Sequence, residues 1–136
     1  MRALVTARTA HGRLAVAVGA ARGVLPAGEL RPLPSPAPGV AGLAEHQGGA
    51  LPVLETFGPG GHVLVLEHAG ERFGLLVEEV VGVVRVRDEE VEPAPAGQHE
   101  RLVEGILRRD GEQLLVLDAG ALRARLGGGP RVASPP

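Results

Sequence analysis

The 136-residue chain has no cysteine, no lysine, no tryptophan and no tyrosine. Without cysteine, disulfides and thiolate metal sites are excluded, and a reducing compartment is compatible. Without lysine there is no Walker A loop, no Schiff base and no lysine general base. Two phenylalanines are the only aromatic residues besides histidine, so a base-stacking surface is missing. The formal net charge of -2 gives no general attraction to nucleic acid. Serine occurs only as Ser35 and Ser134, each beside proline and outside any nucleophile-elbow pattern. No glycine-rich phosphate loop opens a helix after a strand. No apolar run approaches the ~18 residues of a membrane span. The start, "MRALVTARTAHGRLAVAVGAA", has the outline of a weak signal peptide, but its "RLAVAV" alternates like a strand.

What remains is Val, Leu and Ala, punctuated by 21 glycines and 12 prolines. Short aliphatic runs between turn residues predict an all-β protein with an aliphatic core. The length suits one compact domain or two very small ones sharing a core.

The chain also repeats itself. "GLAEHQGGALPVLE" (residues 42–55) and "GILRRDGEQLLVLD" (105–118) share glycines, a Leu-x-Val-Leu end and a final carboxylate. Upstream, "LAVAVGAARGV" (14–24) parallels "FGLLVEEVVGV" (73–83), and "GELRP" (28–32) parallels "EEVEP" (89–93). The matches keep their order, which defines half-units of about 4–55 and 63–126 within a domain of 1–126. Each half holds four or five short strands, too few to bury both sheet faces alone, so two small barrels packed together are expected. The tail, 127–136, lacks apolar periodicity and is expected to be disordered.

Candidate chemistry is sparse. His11, His46, His62, His68 and His99 show no metal-ligand spacing. Glu45–His46 and Glu67–His68 are neighbours, whose side chains leave a strand on opposite faces. Glu78–Glu79 and Glu89–Glu90 read as solvated strand ends rather than acid/base pairs. No catalytic, metal or cofactor site is expected.

At "GLLVEEVVGVVRVRDEEVEP" the chain resembles the CheW family of bacterial chemotaxis coupling proteins. Gly74 to Val77, Glu78, Val80, Val83, Val84, Glu90, Pro93, Gly105, Asp110, Gly111 and Leu114 to Asp118 carry the likeness. The first half is similar to the family's proline-led loop, its G-x-x-N-x-R-G segment and its P-V-x-D strand. The resemblance implies two SH3-like five-stranded β-barrels and a cytoplasmic adaptor without catalysis or cofactor. Its implied partners are a CheA-type histidine kinase regulatory domain and the cytoplasmic helical hairpin of a chemoreceptor, with no nucleic acid and no direct membrane insertion. The output is flagellar taxis or pilus motility.

Residues are carried over one by one. Val24 and Val84 are expected on corresponding strands, bordering a groove that receives the receptor helix. Glu45, His46 and Gln47 occupy the family's functional loop, and Arg108 and Arg109 sit at the second hairpin, where they can meet a partner's acid. Gly42, Gly48, Gly105 and Gly111 read as backbone devices for turns. The chain departs from the family pattern at Glu45 and Gln47, which stand where the family has Asn and Arg. It departs again at Ala21-Arg22-Gly23-Val24, in place of Val-x-Glu-Val. These departures leave a second reading open: a divergent module that has lost receptor binding and serves another two-component complex.

Overall fold

The computed structural model describes residues 1–35, 37–94 and 102–127. From residue 128 on, the expected tail lies outside the described residues. Sheet A contains β1 (Arg2–Thr9), β2 (Gly12–Ala17), β8 (Glu79–Val86), β9 (Val91–Pro93), β10 (Val103–Arg109) and β11 (Glu112–Leu117). Sheet B contains β3 (Ala21–Pro26), β4 (Val40–His46), β5 (Gly49–Leu54), β6 (His62–His68) and β7 (Glu71–Val77). The strand orders are β8-β1-β2-β11-β10-β9 and β3-β6-β7-β5-β4. The expected all-β class holds. One helix, α1 (Ala119–Gly127), was not foreshadowed by the repeat.

The sheets do not follow the division into 4–55 and 63–126. The first unit gives β1 and β2 to sheet A and β3 to β5 to sheet B, while the second gives β6 and β7 to sheet B and the rest to sheet A. The repeat is nevertheless kept pair by pair. Thr6 opposite Gly82 recurs as Val65 opposite Gly23, and Val5 opposite Val83 recurs as Leu64 opposite Val24. Gly105 opposite Val116, next to a bulge, recurs as Gly42 opposite Val53. Val116 beside Ala15 recurs as Val53 beside Gly74, both in parallel pairings. Each repeat unit therefore exchanges strands with the other, and neither sheet can form from one half alone.

Alternating side chains of the central strands feed separate cores. On β6, Val63 and Val65 enter a cluster with Ala44, Leu51, Val53 and Leu76, whereas Leu64 and Leu66 join the core between the sheets. On β1, Leu4 points to the equivalent sheet A cluster of Ala15, Val86, Leu107, Leu114 and Val116, while Val5 and Ala7 face the central core. Both phenylalanines, Phe57 and Phe73, sit in that central core. Burial on both faces explains why β6 and β7 read as "VLVL" and "FGLLV", without polar alternation.

Three hairpins turn on Gln47–Gly48, Ala69–Gly70 and Asp110–Gly111, all at positive φ. Two successive left-handed residues match the strand twist of a type I′ turn. Gly42 and Gly105 serve differently. A Cβ on Gly42 would lie 2.7 Å from the Arg31 carbonyl oxygen, and one on Gly105 would lie 2.6 Å from that of Glu92. They are glycine because another backbone crosses there. Gly105→Ala is expected to destabilise the protein by about 1–3 kcal/mol through this overlap. An unchanged urea midpoint would show that the crossing is looser than described.

Candidate functional site

The two sheets present matching edges. On sheet B, edge strand β3 and the β4–β5 hairpin flank the strands β6 and β7. On sheet A, edge strand β8 and the β10–β11 hairpin flank β1 and β2. Each edge strand carries a bulge, at Arg22 in β3 and at Val81 in β8. The extra residue reverses the alternation beyond it, so Val24 and Val83 are the equivalent positions. Both are exposed, Val24 to 44% and Val83 to 62%.

Val24 and Val84 do lie on corresponding strands, but they face differently. Val84 is half-buried and packs against the sheet A cluster, with its neighbour Val83 turned outward. On the sheet B edge, Glu45 is exposed and His46 half-buried at the β4–β5 tip. Gln47 Oε1 accepts a hydrogen bond from Arg72 Nη1 at 3.0 Å. Arg72 Nε donates to Glu67 Oε1 at 2.9 Å, and Arg22 Nε lies 3.3 Å from the same oxygen. A polar chain Gln47–Arg72–Glu67–Arg22 thus crosses the edge from the hairpin to β3, next to Val24. Arg108 belongs to the other sheet, exposed, with Gln113 at 3.4 Å and Glu92 at 3.9 Å.

The Arg72 hydrogen bond holds the Glu67 carboxyl below its ordinary value of 4.5; burial opposes this and the nearby Arg22 charge adds to it. A lowered folded-state value means that Glu67 contributes stability above its unfolded value, which is lost as pH falls through the folded one. The wild type should therefore lose its advantage over Glu67→Gln as pH drops below 4.5. A gap in urea midpoint that stays constant with pH would contradict this.

On sheet A, a cleft of about 330 Å³ opens between β8 and the β10–β11 hairpin. Thr6, Arg13, Val81 to Val84, Arg109, Asp110 and Leu114 line it. Thr6 Oγ1 donates to the Gly82 carbonyl at 3.3 Å, and Arg109 Nη2 donates to the Arg85 carbonyl at 2.7 Å. The latter bond ties the hairpin side to β8. Arg13 Nη1 donates to Glu112 Oε1 at 2.7 Å. Sequence reading passed over Arg13 and Val81, placed Arg109 only beside Arg108 at the second hairpin, and took Val83 only as part of the family likeness. The shared "GV" at 23–24 and 82–83 held the signal for Val83; the arginines show their role only once the strands are paired.

Among the described residues, no group of three or more His, Asp or Glu is placed to hold a metal ion. Among them too, no helix is long and apolar enough to cross a membrane.

Residues 3–126 match the CheW-like domain family. Among solved structures, the chain is similar to the scaffolding protein TtCheW from Thermoanaerobacter tengcongensis, at 19% identity and a TM-score of 0.76. The match covers 86% of this chain and 88% of that one, and at such identity it carries the fold alone. A search of curated proteins gave no match.

Proposed function

Because the chain belongs to the CheW-like domain family, we propose that it is a non-catalytic cytoplasmic adaptor coupling a chemoreceptor signalling tip to a CheA-type histidine kinase. Taxis and pilus motility are the outputs such coupling serves. The observation that supports this best is the pair of equivalent but chemically distinct edges in one interlocked body. The sheet B edge, with Val24, Glu45, His46 and Gln47, carries a closed polar chain beside an exposed valine. The sheet A edge, near Arg108 and Val84, carries exposed valines and arginines. An adaptor needs two surfaces that different partners can tell apart. The likeness to a protein described as scaffolding agrees with this use.

The second reading, a module that has lost receptor binding, is favoured by one contact. Gln47 stands where the resemblance expects arginine, and its amide is committed to Arg72. An arginine there would face Arg72 as a like charge, so Gln47→Arg is not a simple restoration. Titration calorimetry against the purified kinase regulatory domain and a receptor-tip fragment separates the readings. Binding to both, at micromolar affinity or about -8 kcal/mol, is expected of the adaptor. Binding to the kinase domain alone would favour the divergent module, and binding to neither would overturn the adaptor.

A further inference from the structure

The matched edges differ at one pair of positions. On sheet B, Glu67 stands opposite Arg72, and its carboxylate accepts the Arg72 Nε–H. On sheet A the equivalent cross-strand pair is Arg8 opposite Arg13. Arg8 is turned to Glu79 at 2.6 Å and Glu78 at 3.7 Å, and Arg13 Nε is buried with no acceptor among the described residues. Arg109 Nε, lining the same cleft, is also buried without an acceptor. The bulge residue completes the contrast: Arg22 closes the chain on sheet B, while Val81 takes its place on sheet A and is 46% exposed. The Nε–H acceptor that Glu67 supplies on sheet B has no counterpart among the described residues of sheet A, where Glu112 reaches Arg13 through Nη1.

We propose that the cleft between β8 and the β10–β11 hairpin binds an acidic side chain flanked by aliphatic residues on a partner protein, its carboxylate taking the place that Glu67 fills in sheet B. Carboxylates bind guanidinium side-on, through Nε–H and one Nη–H together. Both Nε atoms lie below the solvent-accessible surface, so each guanidinium shifts outward as the ligand enters. Local charge allows this. Arg13 and Arg109 face the cleft with Asp110; Glu112 engages only Nη1 of Arg13, and Asp110 forms no ion pair with either arginine. Val81 and Val83 lie along the rim, where aliphatic neighbours of the acid would pack.

That the acid belongs to a protein rests on the adaptor reading. The test uses the full chain, labelled with nitrogen-15 and titrated with the peptide N-acetyl-Val-Glu-Val-amide. Saturable shifts of the Arg13 and Arg109 Nε–H signals are expected, with the glutamine counterpart at least about tenfold weaker. Arg8→Glu supplies the missing carboxylate internally, so it should move the Arg13 signal without ligand and block the peptide; its backbone spectrum reports folding independently. The proposal is overturned if neither peptide moves these signals, if both move them equally, or if inorganic phosphate competes as well as the glutamate peptide. Such a failure alongside intact binding of kinase domain and receptor fragment would sink the cleft and spare the adaptor.

Discussion

Phe73→Ala is expected to cost about 3–5 kcal/mol of unfolding free energy, a large share of what a domain of this size has. Phe73 on β7 is fully buried in the core between the sheets, among Leu64, Leu66, Leu75, Val5 and Leu14. Truncation leaves a cavity that strands of both sheets must collapse around, and those strands are held by their own ladders. Because each repeat unit places strands in both sheets, the loss should appear as a single cooperative transition at lower urea concentration. Phe73→Leu keeps most of the volume and should cost about 1.5 kcal/mol or less. An alanine variant within 1 kcal/mol of wild type by urea unfolding would mean that the two sheets do not share this core.

Val24→Arg and Val84→Asp should separate binding from folding. Val24 is exposed on the β3 edge, so arginine there should leave stability within about 0.5 kcal/mol. Placed on a partner-facing edge, the same change should weaken binding about tenfold or more, equivalent to roughly 1.4 kcal/mol. Val84 faces inward against Leu4, Val86 and Leu114. A carboxylate there gives up hydration against an apolar cluster and should destabilise by about 1–3 kcal/mol. The readouts are urea midpoints and affinity for the two partner proteins. Loss of stability in Val24→Arg, or its absence in Val84→Asp, would reverse the assignment of faces.

Much of this architecture was legible in the sequence, and the misses have identifiable causes. The matched stretches at 42–55 and 105–118 are the β4–β5 and β10–β11 hairpins, with the same bulge just before the same first glycine. Gly-containing turns fixed their positions. Periodicity shows which strands are equivalent, but it does not show which neighbour each will pair with. β3 crosses to β6 after the short 3-10 turn at Val18–Ala20, so contiguous halves became interleaved sheets. Val84 faces the cluster rather than outward like Val24, because the matching bulges at Arg22 and Val81 leave Val83, opposite Val5, as the counterpart of Val24, opposite Leu64. The helix was hidden for another reason. Asp118 Oδ1 accepts hydrogen bonds from the backbone N–H groups of Gly120 and Ala121, a start signal that precedes a short run of helix-forming residues. The cleft depends on which arginines meet which carboxylates across strands, and that is set by pairing rather than by spacing.

The central claim is that one copy of this chain holds two different proteins through two edges. Analytical ultracentrifugation of the full chain mixed with a CheA-type regulatory domain and a receptor-tip fragment addresses it directly. The account predicts a species containing all three, which disappears when this chain is left out. Two separate binary complexes that never combine, with each partner displacing the other, would contradict it, because both partners would then be competing for a single surface.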